Sequence, residues 1–84
     1  MVSMTTPVAP VAPVVRGFVF RPISRQRWRV IDRRGRVIGH LRWEHCSEGL
    51  RFHAERFDLV RAQLRPLGSF WTAREAVDCL VYLR

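Results

Sequence analysis

Apolar and polar positions alternate with a period of two through the middle of this chain and switch to helical spacing near its end. Arg27-Trp-Arg-Val-Ile-Asp sets Trp28 and Val30 on one side and Arg27 and Arg29 on the other, the pattern of a half-buried strand. Asp32-Arg-Arg-Gly-Arg follows as a hairpin turn, with Gly35 suited to the left-handed position of a three-residue loop. Val37 to Trp43 alternates again, placing Val37, Gly39, Leu41 and Trp43 on one side and Ile38, His40 and Arg42 on the other. After a second turn over His45-Cys-Ser-Glu-Gly, Leu50, Phe52 and Ala54 face in, and Arg51, His53 and Glu55 face out. Phe18-Val-Phe-Arg-Pro-Ile is an apolar lead-in interrupted at Pro22, suited to a short edge strand.

Phe57 to Leu67 fits two patterns. Arg61-Ala-Gln-Leu-Arg reads as a fourth strand with Arg61, Gln63 and Arg65 outward and Pro66 ending the ladder. Phe57, Val60, Arg61 and Leu64 also suit a turn or two of helix. The strand is preferred, because Leu67-Gly-Ser-Phe behaves like the end of a sheet. Thr72 then supplies a helix cap and Glu75 stands three positions on, the capping-box spacing. Ala76, Val77, Leu80, Val81 and Leu83 recur at helical spacing and form one apolar stripe. These elements predict an α+β domain: a small antiparallel sheet of three to four strands, with one C-terminal helix packed on one face.

The stripe has an obvious partner. Trp28, Val30, Val37, Leu41, Leu50, Phe52, Ala54 and Phe70 form an inward set that the helix covers. The opposite face then gathers Arg27, Arg29, His40, Arg42, Arg51 and His53, joined by Gln63, Arg65 and Arg61 if the fourth strand forms. Residues 1–17, with Pro-Val-Ala-Pro-Val-Ala-Pro, read as a flexible arm that favours polyproline II, and residues 18–84 as a single domain.

Charge sharpens the picture. The 84-residue chain carries a formal net charge of +8, and all 15 of its basic residues are Arg. A GC-rich coding sequence accounts for Arg in place of Lys, but not for the excess over Asp and Glu. That excess suits an anionic partner, because guanidinium groups hydrogen-bond phosphate in a fixed fork. A solvated polar face is the bland alternative, since any one-sided sheet segregates its polar residues.

The chain resembles a known family. Gly49-Leu-Arg-Phe-His-Ala-Glu-Arg and Leu67-Gly-Ser-Phe-Trp-Thr-Ala-Arg-Glu-Ala-Val resemble the sheet-and-helix signature of the plant ethylene-response (APETALA-type) DNA-binding domain. They also resemble the related arm-binding N-terminal domains of phage and transposon tyrosine integrases. Phe52, Ala54, Leu67, Gly68, Phe70, Thr72, Glu75 and Ala76 match structural positions of that pattern. The chain departs from it at Val77, where the family has a second Ala, in lacking the Ala-Tyr-Asp that follows, and in the Tyr-Arg-Gly-Val opening, where Ile38-Gly-His-Leu stands. The resemblance implies a sheet laid in the DNA major groove with a helix behind it.

Other chemistry is sparse. His40, His45, Cys46 and His53 match none of the usual structural zinc spacings. No phosphate-cradling glycine loop or Ser-His-Asp set stands in the sequence, Glu75 is used in capping and Asp78 lies on the helix surface, so neither enzyme, metal nor cofactor is expected. Two cysteines suit a reducing cytoplasm rather than a disulfide framework, no apolar run is long enough for a bilayer, and no secretory signal opens the chain. The leading expectation is a basic nucleic-acid-binding module, cytoplasmic and nucleoid-associated if its target is DNA, with RNA left open. The rival is a phage-encoded or accessory protein gripping an acidic protein surface through Arg and through Trp43 and Trp71. Exposure of both tryptophans in one patch favours the rival, and their burial favours nucleic acid.

Overall fold

The computed structural model describes residues 12–83, so most of the expected arm lies outside the described residues. Five strands form one antiparallel sheet in sequence order: β1 (Val19–Ser24), β2 (Arg27–Ile31), β3 (Val37–Cys46), β4 (Gly49–Asp58) and β5 (Gln63–Phe70). One helix, α1 (Ala73–Tyr82), follows and packs across β3, β4 and β5. The architecture is the expected α+β arrangement with five strands instead of three to four. The lead-in forms the full strand β1, and Pro22 is accommodated because β1 is an edge that needs no outer ladder bonds.

The ambiguous stretch is a hairpin. β4 runs on to Asp58, whose Oδ1 accepts from the N–H groups of Val60 and Arg61 at 3.0 and 3.2 Å and so closes the turn into β5. Pro66 does not end this strand as expected. It pairs with Glu55 inside β5, the other edge, and the ladder continues to Phe70. A proline on each edge leaves both less able to recruit a further strand.

Two bulges shift the alternation. Val30 pairs with Gly39 but Ile31 with Val37, so Ile38 is extra and packs against the core while Val37 turns outward and is 53% exposed. This corrects the expected inward Val37 and outward Ile38. Ala54 pairs with Gly68 but Glu55 with Pro66, so Leu67 is extra and also packs against the core.

The core comprises Trp28, Val30, Leu41, Trp43 and Ala54 from the sheet with Ala73, Ala76, Val77 and Leu80 from the helix. Val15, Phe18 and Phe20 pack beside it, and the Phe18 N–H donates to Val15 O at 3.1 Å. The helix comes close because residue 39 is glycine: a Cβ there would lie 2.5 Å from Leu80 Cδ2 and 2.8 Å from the Glu55 carbonyl oxygen. Thr72 caps the helix by accepting from the Glu75 N–H at 3.2 Å. Glu75 does not reach the Thr72 N–H as the capping box expects; its carboxylate accepts from the Thr72 hydroxyl at 2.9 Å. At the far end, Arg56 donates to Leu80 O at 2.7 Å and to Leu83 O, meeting carbonyls that the helix leaves unpaired. Leu83, expected in the apolar stripe, is 52% exposed.

Candidate functional site: the outer face of the sheet

Directly opposed residues in an antiparallel ladder share a face, so the register gives the composition of the surface turned away from the helix. One row across it runs Arg21, Arg29, His40, Glu55 and Pro66. The next runs Ser24, Arg27, Arg42, His53 and Ser69, and a third holds Glu44 and Arg51. Of the residues expected on this face, Arg27, Arg29, His40, Arg42, Arg51 and His53 are brought together. Gln63 and Arg65 are not. They pair with Asp58 and Arg56, and Arg56 reaches the helix carbonyls, so both lie on the helix side. The bulge at Leu67 causes the difference by moving the β5 alternation one residue out of phase.

The centre of the face is an ionic bridge. Glu55, only 6% exposed, accepts from Arg27 Nε at 2.7 Å, Arg27 Nη2 at 3.2 Å and Arg42 Nε at 3.3 Å. Arg27 and Arg42 are opposed across the β2–β3 ladder, where like charges repel, and the shared carboxylate offsets that repulsion. The Arg27 pKa is raised, chiefly by its hydrogen bond to Glu55.

A second bridge continues from it. Arg42 Nη1 lies 3.8 Å from Glu44 Oε2, and His53 Nε2 lies 2.5 Å from Glu44 Oε1. A carboxylate only accepts, so His53 carries a proton on Nε2, while its Nδ1 sits 2.7 Å from Ser69 Oγ. His40 and His53 are not cross-strand neighbours: His40 opposes Glu55, and His53 opposes Arg42. Burial, then the nearby Arg29, lowers the His40 pKa below its usual value, and its Nδ1 is buried without a hydrogen-bond partner.

Arg21 and Arg29 stand apart from this network. They oppose each other across β1–β2, both are exposed, and among the described residues neither contacts a carboxylate. Arg51 lies over the Trp71 ring at 4.6 Å from its centroid. The tryptophans divide. Trp43 is 3% exposed and its Nε1–H donates to Arg25 O at 3.0 Å, whereas Trp71 is 47% exposed.

Sequence reasoning missed Arg21, Glu44 and Ser69. Glu44 continues the 40-42 alternation by one step, so its place was readable; Arg21 required recognising β1 as a full strand. His45 lies on the helix side, edge-on to Trp43 at 5.4 Å, and no three His, Cys, Asp or Glu side chains among the described residues converge as metal ligands. No helix among those residues is long and apolar enough to cross a membrane. No family model matches the chain, and neither a curated protein nor a solved structure matches it.

Proposed function

We propose that the chain is a non-enzymatic nucleic-acid-binding module that contacts double-stranded DNA through the outer face of its sheet. The observation that carries this reading is the opposed pair Arg21 and Arg29. Like charges directly across a ladder destabilise it, and no carboxylate among the described residues relieves this pair, so an external anion is the natural counter-charge. Arg51 extends the free cationic set, while Arg27 and Arg42 are held in fixed orientation by Glu55. Phosphates would meet Arg21, Arg29 and Arg51, whereas His53, with both ring nitrogens engaged by Glu44 and Ser69, would hold the face rather than contact the ligand. Gln63 and Arg65, on the other side, have no part in it. The resemblance to APETALA-type and integrase arm domains supports the same docking, and a cytoplasmic, nucleoid-associated setting accords with it.

Fluorescence anisotropy with random duplex, single-stranded DNA and RNA over a salt series tests the proposal. Each phosphate contact contributes about 0.9 to the slope of log affinity against log salt on duplex DNA. Replacing Arg21, Arg29 and Arg51 together by Ala is expected to flatten that slope by roughly 2–3 units while the fold persists. Absence of binding at low salt, or an unchanged slope in the folded variant, overturns the reading. A second reading, an accessory module docking on an acidic protein surface, draws on the exposed Trp71 under Arg51, an anchor combination common at protein interfaces. Trp43 cannot contribute to it directly, being buried.

A further inference from the structure

A cleft of about 450 Å3 opens between the lead-in at Arg16–Phe18 and the β2–β3 hairpin, away from the charged rows of the sheet, with Val81 of the helix on its wall. Four arginines line it, Arg16, Arg33, Arg34 and Arg36, against the single carboxylate of Asp32. That carboxylate is already engaged. Its Oδ1 accepts from the Arg34 and Arg36 N–H groups at 2.9 Å each, and its Oδ2 accepts from Arg36 Nε at 3.3 Å. Arg16, Arg33 and Arg34 face no carboxylate among the described residues. The hairpin and the lead-in are also fitted to each other. Gly17 has φ +89°, and a Cβ there would sit 2.9 Å from Arg33 Nε and 3.3 Å from Arg33 Nη2, so the glycine lets the Arg33 guanidinium lie against the main chain.

We propose that this cleft is an anion site for a short phosphate chain, a di- or triphosphate group held by Arg16, Arg33 and Arg34. Guanidinium forks bind phosphate oxygens in pairs, and several around one concavity select a multiply charged ligand over a single phosphate. The volume exceeds what one phosphate fills and falls in the range of roughly 300–1,000 Å3 typical of small-ligand sites. Phe18 adds an apolar wall on which a nucleoside could rest. The site is independent of the sheet-face reading, since none of its arginines lies on the charged rows.

The test is an NMR titration of the full chain with inorganic tripolyphosphate and, separately, with ATP at constant ionic strength. Saturable shifts confined to the amides of residues 16–18 and 33–36 are expected with both. Equal affinity identifies the phosphate chain alone as the ligand, and tighter ATP binding identifies a nucleotide. The Arg16→Gln, Arg33→Gln double variant is expected to weaken binding by about tenfold or more. Arg33→Lys keeps the charge but removes the fork, and is expected to weaken it severalfold. Arg29→Ala is expected to bind tripolyphosphate as the parent does. Shifts spread over all arginines without saturation, or full affinity in the double variant, overturn the site. Failure of DNA binding with intact tripolyphosphate binding removes the sheet-face reading alone.

Discussion

Glu55→Gln isolates the bridge at the centre of the sheet face, because it preserves shape and removes one negative charge. The carboxylate accepts three N–H contacts from two guanidiniums. A charge-assisted hydrogen bond contributes about 1.5–3 kcal/mol, and a neutral one about 0.5–1.5. The substitution therefore forfeits about 1 kcal/mol per guanidinium, or roughly 2 kcal/mol for both, before solvent is considered. Both arginine side chains are 29% exposed, so water recovers part of that loss and about 1–2 kcal/mol remains. For a domain of this size the loss corresponds to a fall of roughly 4–16 °C in Tm, read by thermal denaturation followed by circular dichroism.

The same change acts on binding in the opposite direction. Two guanidiniums freed from Glu55 become available to phosphates, so the proposed function requires the salt slope on duplex DNA to steepen by up to about 2 units. Stability and affinity should thus diverge in one variant, a combination that general damage to the fold does not produce. A folded Glu55→Gln protein with the parental salt slope would refute the assignment of this face as the contact surface. An unchanged Tm would refute the bridge itself.

Three further outcomes follow from the geometry. Burial holds the His40 pKa below its unfolded value near 6.5, so the unfolded state binds the proton more readily; stability is full above that value and is lost as pH falls from it towards the folded pKa. Tm measured from pH 7.5 to 5 should decline more steeply in the parent than in His40→Gln, and parallel curves would contradict this. Gly39→Ala places a methyl 2.5 Å from Leu80 Cδ2 and 2.8 Å from the Glu55 carbonyl oxygen, for an overpacking cost of about 1–3 kcal/mol. Because one of those obstacles is backbone, Gly39→Ala should still lower the urea midpoint in a Leu80→Ala background, and no further drop there would show that only the leucine resisted. Arg56→Met removes both donors to the helix C-terminal carbonyls and should cost about 1–2 kcal/mol by the same assay, with no loss indicating that water replaces them.

The helix, β2 and β4 were legible because each obeys one period over its length, and β3 because it does so from Gly39 onward. Thr72 and Glu75 fixed the helix start, Gly35 at φ +79° fixed the β2–β3 turn, and Trp28, Val30, Leu41 and Ala54 carried the inward alternation. β1 was less visible because Phe18-Val-Phe shows no alternation and Pro22 reads as a stop. Gln63 and Arg65 were assigned to the wrong face for a different reason. Alternation predicts a face only while the register holds, and one inserted residue such as Leu67 inverts every assignment beyond it. The ionic bridge was hidden because pairing Glu55 with Arg27 and Arg42 depends on the register of three strands at once.

The bulge at Ile38 marks one limit of the charged surface. Beyond the row of Arg29, His40 and Glu55 the outer face turns apolar: Val19 and Val37 both oppose Ile31, and Phe57 opposes Leu64, with Val19, Val37 and Phe57 exposed. In an unbroken register Ile38 would oppose Ile31 in place of Val37, so this end of the face is apolar in either case. The charged part is therefore confined to three rows. Alternate residues on a strand are about 6.8 Å apart, so three rows span roughly 14 Å, close to the approximately 12 Å width of a major groove. A duplex laid along the rows would meet Arg21, Arg29 and Arg51 at the margins of that width, where its phosphates run. Between those margins stands the Arg27–Glu55–Arg42 bridge, whose guanidiniums Glu55→Gln would release. The apolar end falls outside this footprint, so substitutions at Val37 or Phe57 should leave the salt slope unchanged, in contrast to Arg29 one row away.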